Sequence, residues 1–305
     1  MKIRILGSAA GGGFPQWNCN CRNCRGVREG TLRARARTQS SLVVRGKDAH
    51  AWALVNASPD VLTQLRSHAD LQPGRSIRDS AIRAIVLMDG QIDHVTGLLM
   101  LRESQRAWPL WTTDAVFNEL SRELPLLDVL AHYCDTAHHR IDLDRSFTIE
   151  GIDDVAWRAT ILDSKAPPYS RDRLTPVAGS NIALTLTDTH SGRTAFYAPG
   201  LGVMSAALWE AMSSADLVLV DGTCWRDDEL QVQGISSKRS RDMGHLPLKG
   251  AGGMIEWLSK LPASTRKVLV HINNTNPILD EDSVERTELA AFGIDVGHDG
   301  MEWDL

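Results

Sequence analysis

The sequence predicts an α/β fold, on the basis of three observations. Short apolar runs typical of buried strands recur along the chain, at residues 3–6, 42–44, 52–55 and 82–88. Residues that favour the start of a helix follow predicted strands, as at Ser58 and Asp114. Acidic and imidazole side chains come directly after strands, which is where α/β folds commonly carry their functional groups.

Length, charge and hydropathy limit the classes of function. The chain has 305 residues and a net charge of −5, without a long block of one sign, which argues against a nucleic-acid partner. No run approaches the roughly 20 apolar residues that span a bilayer. The first residues lack an apolar core of signal-peptide length. We therefore expect a cytoplasmic protein with no membrane partner, built as one large domain or two small ones.

Three of the five cysteines lie close together in the sequence, at Cys19, Cys21 and Cys24. Thiols with this C-x-C-x-x-C spacing can converge on one ion, and Zn²⁺ takes thiolate ligands in tetrahedral geometry. The pattern predicts a structural zinc site at residues 19–24. A fourth ligand is not visible nearby, and Asn274 and His298 are both candidates.

Elements before the central stretch follow from local signals. The glycine-rich loop at 7–13 lacks the Gly-Lys-Ser/Thr ending of a phosphate-binding loop, so we expect it to pack closely against other backbone. Arg33, Arg35 and Arg37 alternate along one face, which indicates a solvated segment more than a phosphate-binding ladder. Ser58 as N-cap and Pro59 at the first helical position predict a helix to about residue 68.

The central stretch joins a strand to a helix through a polar turn. Residues 82–88 predict a buried strand, Asp89 and Gly90 a turn, and residues 95–101 a short apolar helix. Asp93 and His94 lie where the strand gives way to the helix. That position makes them the first candidates for a functional site.

The second half of the chain continues the same alternation. Strands are predicted at residues 110–112, 147–149, 155–162, 182–187, 194–197, 215–221 and 267–271, and helices at 114–122, 248–261 and 283–292. An ordered loop is expected at 165–179, a possible lid at 226–244, and a closing strand within 293–301. Asp221 and His271 each end a strand, and we interpret His271 as a ligand rather than a core residue. The histidines of residues 131–139 indicate a surface segment more than a second metal site.

Residues 89–94, Asp-Gly-Gln-Ile-Asp-His, resemble the H-x-H-x-D-H metal loop of the metallo-β-lactamase superfamily, with Asp89 and Gln91 in place of the first two histidines. The cysteine cluster, the Gly-His-Leu-Pro run at 244–247 and the segment 271–277 extend the resemblance to essentially the whole chain. Together these motifs make the chain similar to a divergent family of this superfamily, whose members take part in making the redox cofactor pyrroloquinoline quinone (PQQ). The superfamily's metal-bridging aspartate has no counterpart at residues 197–202, which favours one metal ion.

The resemblance implies a four-layer αββα sandwich formed by a single domain over residues 1–305. It implies an open metal site made by Asp93, His94 and His271, a ligand set that suits non-haem Fe²⁺. The side chains expected to line the pocket, orient the substrate ring or handle protons are Asp89, Gln91, Asp221 and His245. The cysteine cluster is similar to the zinc knuckle of phosphonate-pathway phosphodiesterases, which carry a histidine where this chain has Asn274.

The function implied is iron- and O2-dependent hydroxylation of the tyrosine ring of a glutamate–tyrosine-derived PQQ precursor. The expected partners are that precursor, O2 and other proteins of the PQQ pathway. One alternative is a metal-dependent hydrolase of the phosphodiesterase type, and another is a non-catalytic carrier that serves PQQ transport. The substitutions at Asp89 and Gln91 argue against the hydrolase, and the retained Asp93, His94 and His271 argue against a carrier.

Overall fold

Two seven-stranded sheets form the centre of the computed structural model, which describes residues 1–143, 145–175 and 177–305. The first sheet contains β1 (Lys2–Gly7), β2 (Ser41–Arg45), β3 (Trp52–Val55), β4 (Ile82–Val86), β5 (Trp108–Thr112), β6 (Thr136–Arg140) and β14 (Glu302–Asp304). The second contains β7 (Ser146–Ile149), β8 (Ile152–Ile161), β9 (Ile182–Asp188), β10 (Thr194–Ala198), β11 (Leu217–Asp221), β12 (Arg266–Val270) and β13 (Ile294–Val296). Each sheet is mixed, with both parallel and antiparallel neighbours.

The strand orders of the two sheets match each other in pattern. The first runs β14-β1-β2-β3-β4-β5-β6 and the second β13-β12-β11-β10-β9-β8-β7. Strands β3 to β6 are parallel in one sheet, and β10 to β13 are parallel in the other, while the remaining neighbours are antiparallel. Carboxyl ends of parallel strands therefore meet at one edge of the molecule, where α/β folds bind ligands.

Helices cover the outer faces of both sheets. They are α1 (Arg22–Glu29), α2 (Val61–Arg66), α3 (Ile92–Val95), α4 (Asp114–Asn118), α5 (Leu126–Ala131), α6 (Ala206–Ser213), α7 (Glu229–Val232), α8 (Met254–Ser259) and α9 (Val284–Ala291). Among the described residues, no helix is long and apolar enough to cross a membrane.

Three groups of buried apolar residues correspond to the interfaces between layers. Side chains such as Val86 and Trp157 fill the space between the two sheets. Trp52 packs with α2 on the outside of the first sheet, and Phe196 packs with α6 and α8 on the outside of the second. This arrangement is the four-layer αββα sandwich expected from the resemblance.

Several predicted bounds were wrong. The first helix after β3 begins at Val61 with Asp60 as N-cap, and Ser58 instead accepts the Asp60 N–H at 3.3 Å. The predicted helix at 95–101 is a 3₁₀ segment (Thr96–Leu101) that follows α3. This segment packs closely against the chain before α2, since a Cβ on Gly97 would lie 2.0 Å from Ser58 O. Only Met254–Ser259 of the 248–261 segment is helical.

The arginine-rich segment at residues 33–37 is only partly solvated. Arg33 and Arg35 are exposed and pair with Glu281, at 3.1 and 3.3 Å. Arg37 is buried, donates to Ser8 Oγ at 3.0 Å, and has a lowered pKa of about 10 because of burial. The prediction of a solvated face therefore fails at Arg37, which anchors the glycine-rich loop.

Candidate metal centre

Two segments from different sheets bring the candidate metal-binding side chains together. Asp93 and His94 lie on α3, immediately after the turn that ends β4. His271 follows the last residue of β12. The glycine-rich loop joins the two halves beside these residues, because Ala10 N donates to Ile272 O at 2.9 Å. The site therefore forms at the edge where the carboxyl ends of parallel strands from both sheets meet.

The three side chains converge on one point. Asp93 Oδ2 lies 3.8 Å from His94 Nε2 and 3.6 Å from His271 Nε2. All three ligand atoms lie within 4.8 Å of one another. A tetrahedral ion about 2.1 Å from each ligand would separate ligand atoms by roughly 3.4 Å. A small inward movement of the three atoms would therefore be enough to bind an ion.

His94 is oriented by Asp89 behind it. Its Nδ1 lies 2.8 and 2.9 Å from the two carboxylate oxygens of Asp89. Its Nε2 is buried and has no hydrogen-bond partner among the described residues. Burial lowers the pKa of His94, but Asp89 and Asp93 raise it more, to about 9. A buried, unpaired nitrogen in a field that favours positive charge fits a metal ligand.

Asp93 is held as a carboxylate. Burial raises its pKa, but His94 and His271 lower it well below the ordinary range. The glycine-rich loop approaches it closely, since a Cβ on Gly11 would lie 3.1 Å from Asp93 Oδ2. The absence of a side chain at Gly11 leaves the carboxylate room to face the two histidines. The close backbone packing expected of this loop is confirmed at Gly7, where a Cβ would lie 2.0 Å from Gln39 O.

His271 occupies an unusual backbone conformation. Its φ is 54°, in the left-handed region that residues other than glycine rarely adopt. The ring's Nδ1 lies 3.0 Å from Thr223 Oγ1, and its Nε2 faces Asp93. Such strain typically costs about 1–3 kcal/mol and is concentrated at functional sites. The conformation is consistent with a functional role for the residue, as its position in the sequence predicts.

A second group, Asp221 with His245, lies on the other side of His271. Asp221 Oδ2 lies 2.6 Å from His245 Nδ1, and the His245 ring stacks on His271 with centroids 5.2 Å apart. Burial lowers the pKa of His245, but Asp221 raises it more. Burial raises the pKa of Asp221, but His245, followed by His271 and Thr223, lowers it more.

Asp221 was expected to line the substrate pocket, but its side chain does not reach an open surface. It is fully buried and accepts hydrogen bonds from Leu201 N, Thr223 N, Thr223 Oγ1 and His245 Nδ1. A carboxylate offers about four acceptor positions, so this one is fully occupied. Asp221, His245 and His271 also lie within 4.8 Å of one another, but the saturated carboxylate makes them a poor second metal site. Asp221 instead orients His245.

Asp89 and Gln91, at the altered positions of the metal loop, differ in what they contact. Asp89 is buried and uses both oxygens on His94. Gln91 is half-buried at the N-cap of α3, and its side chain makes no hydrogen bond within the described ranges. Gln91 is therefore tied to the cluster only through its backbone, whose N–H donates to Asp89 Oδ1 at 2.9 Å.

The three cysteine sulfurs also converge, within 4.8 Å of one another. The side-chain amide of Asn274 lies over them, with Nδ2 at 3.1, 3.6 and 3.4 Å from Cys19, Cys21 and Cys24. His298 is not part of this group, and its Nδ1 faces Asp299 O at 3.0 Å. Of the two candidates for a fourth ligand, Asn274 is the one that lies at the sulfurs, and its amide would have to turn so that Oδ1, rather than the donor Nδ2, faces an ion.

The thiols of this cluster differ in their proton affinities. Burial raises the pKa of Cys24 to about 11. Burial also raises the pKa of Cys21, but hydrogen bonds from Cys24 and Cys19 lower it more, to below its ordinary value. One easily ionised thiol within a close group of three is consistent with a thiolate metal site.

The cysteine cluster and the His271 site share one loop. Asn274 follows His271 by three residues, and Asn23 Nδ2 donates to Asn274 O at 3.1 Å and to Asn276 O at 2.9 Å. Asn276 Nδ2 in turn donates to Gly222 O at 2.8 Å. The segment 271–276 is therefore fixed on both sides. Neither Asn23 nor Thr223 is detectable as a site residue from the sequence, because each lacks a motif.

The segment 226–244 packs on the molecule through several contacts. Gln233 Nε2 donates to Thr275 O at 3.2 Å, and Lys165 Nζ donates to Asp242 O at 2.8 Å. A cavity of about 830 Å³ lies between this segment and the cysteine loop, and Cys19 and Glu229 are among its lining residues. That the segment opens as a lid stays a prediction.

Two further predictions concern the first sheet's side of the site. The loop at 165–179 is ordered where described, with residue 176 outside the described residues, and Tyr169 Oη donates to Gly90 O at 2.5 Å. The expectation of surface helix or loop holds for residues 131–135 of the histidine-rich segment, which end α5 and form the turn after it, but residues 136–139 belong to β6. His138 stacks on Phe117 and His139 on Trp111, and no metal-binding group includes them in the described part of the chain.

Comparison with known proteins agrees with this geometry. A family model described as the beta-lactamase superfamily domain matches residues 51–272. A coenzyme PQQ synthesis protein B from Azoarcus sp. (strain BH72) is 63% identical over 305 residues, 100% of both chains. A protein of the same name from Cupriavidus necator is 59% identical over 301 residues, 98% of both chains.

Two solved structures extend the comparison. The crystal structure of Zn²⁺-bound PqqB from Methylobacterium extorquens matches with a TM-score of 0.90 and 35% identity, covering 100% of both chains. A diphosphatase of the PhnP family matches with a TM-score of 0.68 and 16% identity, over 100% of this chain and 97% of the other, which is a likeness of fold alone. The predicted sandwich fold is confirmed, and the chain belongs to the coenzyme PQQ synthesis protein B family of the beta-lactamase superfamily.

Proposed function

We propose that the protein acts in PQQ biosynthesis as a non-haem Fe²⁺ oxygenase that hydroxylates the tyrosine ring of a glutamate–tyrosine-derived precursor. The role in the pathway is carried over from relatives named coenzyme PQQ synthesis protein B. The precursor and O2 are the substrates, and other proteins of the pathway are the expected macromolecular partners.

The observation that carries the proposal is the convergence of Asp93, His94 and His271, with His94 Nε2 buried and unpaired. Two imidazoles and one carboxylate form the ligand face typical of non-haem Fe²⁺ oxygenases. Three protein ligands leave up to three positions of an octahedron open for substrate and O2. When bound, the ion would supply O2 activation beside the substrate ring.

The substituted metal loop supports one ion over two. Hydrolytic metal pairs lie about 3.5–4 Å apart, and each ion needs ligands of its own. Asp89 has both oxygens engaged with His94, and Asp221 accepts four hydrogen bonds. Leu201 follows β10 in the stretch 197–202, where the superfamily carries its bridging aspartate. A second ion would therefore lack free carboxylates.

His245 is the residue best suited to move a proton. Asp221 fixes its Nδ1, and the ring lies beside His271 and remains partly exposed, at 16% of its side chain. Asp221 also raises the pKa of His245 despite burial. In the proposed reaction a ring C–H bond is replaced by C–OH, the second oxygen atom leaves as water, and a small-molecule reductant supplies two electrons and two protons. His245 would take or return the ring proton.

The cysteine cluster has a separate role in the proposal. Three thiolates are typical ligands of a structural Zn²⁺ ion. A zinc site closed by protein ligands has no open position for a substrate and is therefore structural. The structure of the relative from Methylobacterium extorquens contains Zn²⁺, which supports metal binding in this family. For the present chain we propose Zn²⁺ at the cysteine cluster and Fe²⁺ at the open site.

The test is reconstitution of the metal-stripped protein without oxygen. We expect Fe²⁺, but not Zn²⁺, at the open site to restore O2 uptake with the precursor and ascorbate. His271→Ala should lose this site's ion and its activity while it stays folded. His138→Ala removes a histidine outside the cluster and should behave as the unmodified protein does.

Two other results would replace the proposal. Zn²⁺-supported phosphodiester cleavage at about 1 per second or more, without O2 uptake, would identify a hydrolase. Failure of both ions, combined with tight binding of PQQ itself, would identify a carrier that serves transport.

A further inference from the structure

We propose that Thr223 is a positioning residue that fixes His271 with Nε2 unprotonated and directed at the metal position. This inference rests on the proposed metal site and adds to it a residue with no motif in the sequence. Thr223 lies just after β11, beside His271, because Asp221 pairs with Val270 across β11 and β12.

The Thr223 hydroxyl is surrounded by polar atoms of the site. Its Oγ1 lies 2.6 Å from Asp221 Oδ1, 3.0 Å from His271 Nδ1, 3.0 Å from His271 O and 3.2 Å from His245 Nδ1. The residue is 4% exposed, so water cannot readily replace these contacts. A single hydroxyl therefore joins three of the residues that form the site.

The hydroxyl has only one proton, and its direction follows from its neighbours. Asp221 Oδ1 is the closest acceptor and carries negative charge, and hydrogen bonds to ionised acceptors are the strongest. With the proton donated to Asp221, Oγ1 has only lone pairs to offer to His271 Nδ1. His271 must then donate from Nδ1, because two acceptors cannot bond to each other.

The consequence for the metal site follows from imidazole chemistry. A neutral ring protonated at Nδ1 has its lone pair on Nε2, and Nε2 faces Asp93 at 3.6 Å. Removing the group that hydrogen-bonds to the non-ligating nitrogen of a metal-bound histidine typically weakens metal binding by about 10–100-fold. Hydrogen bonds of its own backbone hold Thr223 in place. The Thr223 N–H donates to Asp221 Oδ1 at 2.9 Å, and the Thr223 carbonyl accepts from Asn273 N at 3.1 Å.

The test measures metal affinity directly, without turnover. Protein with zinc at the cysteine cluster is titrated anaerobically with Co²⁺, whose visible spectrum reports its ligands and geometry. We expect Thr223→Val, which keeps the shape and removes the hydroxyl, to weaken Co²⁺ binding about tenfold or more and to change the spectrum. Thr223→Ser keeps the hydroxyl and should bind within about threefold of the unmodified protein.

Thr112→Val is the matched control. Thr112 is buried and its Oγ1 lies 3.0 Å from His138 Nε2, so the change removes a hydroxyl–imidazole contact outside the metal site. Its Co²⁺ affinity and spectrum should be unchanged. If Thr223→Val does not fold, Thr223→Ala carries the same expectation, since it leaves more room for the rings.

The inference is overturned by unchanged Co²⁺ affinity and spectrum in Thr223→Val, or by equal losses in the serine and valine variants. Either result would leave the proposed oxygenase in place, because the unmodified protein would still bind the ion. If the unmodified protein binds no Co²⁺ outside the thiolates, the metal site itself fails, and the proposed function fails with it.

Discussion

At the scale of single residues, the groups behind the metal-facing atoms define the site as much as the ligands do. Asp89 engages Nδ1 of His94, and Thr223 engages Nδ1 of His271. In both rings one nitrogen is committed to the protein and the other is directed toward Asp93. In the proposed site this arrangement would preset the ligands before an ion arrives and so reduce the ordering that binding requires.

Glu229 carries a residue-scale prediction about pH. Burial raises its pKa from 4.5 to about 7, more than hydrogen bonds from Thr275 and Trp225 lower it. Between these values the folded state binds a proton that the unfolded state lacks, so stability falls as the pH rises through them. Glu229→Gln removes this dependence and can keep both contacts, by accepting from Trp225 N and donating to Thr275 Oγ1.

We therefore expect the free energy of unfolding of Glu229→Gln, minus that of the unmodified protein, to be about 2 kcal/mol larger at pH 8 than at pH 5. Urea unfolding at the two pH values measures the difference, and taking the difference between the proteins cancels other titrating groups. A stability difference that does not change with pH would show that the Glu229 carboxyl titrates normally.

At the scale of elements, the strands with continuous apolar runs were predictable and the others were not. β3 matches its predicted bounds, and β2 and β12 differ from theirs by one residue at each end. β6 is largely exposed and rich in histidine, so its sequence lacks the apolar signal, and pairing with β5 forms it. The three residues of β14 are fixed by pairing with β1, about 300 positions away along the chain, which no local pattern encodes.

The loop at 271–276 supports an element-scale prediction, because it joins the cysteine cluster to the metal site. Cys21→Ser should lower bound zinc by about one equivalent. It should also weaken metal binding at the open site, since Asn274 and His271 share this loop and Asn23 from the cysteine segment fixes it. Metal analysis combined with Co²⁺ titration measures both effects.

Cys134→Ser is the control, since Cys134 is buried under α5 and lies outside the thiol cluster. It should keep its zinc and its affinity at the open site. Full zinc content in Cys21→Ser would contradict the thiolate site. Zinc loss with unchanged Co²⁺ affinity would contradict only the coupling between the two sites.

At the scale of the whole molecule, the sequence predicts the components of the site better than their assembly. Asp93 and His94 are adjacent and follow a strand, so they can be identified locally. His271 lies 177 positions after His94 and meets it only because the two sheets pack face to face. Asp221 ends a strand and was predictable as a site residue. Its burial behind His245 was not, since it depends on contacts from the loop after β10 and from the loop that carries His245.

The central claim is that one ion held by Asp93, His94 and His271 uses O2 to hydroxylate the precursor's tyrosine ring. It is tested most directly by turnover of the Fe²⁺-loaded protein under ¹⁸O2, with mass spectrometry of the product. The account predicts a labelled oxygen on the tyrosine ring and no product when O2 is excluded. Product formed without O2, or product whose new oxygen comes only from labelled water, would contradict it.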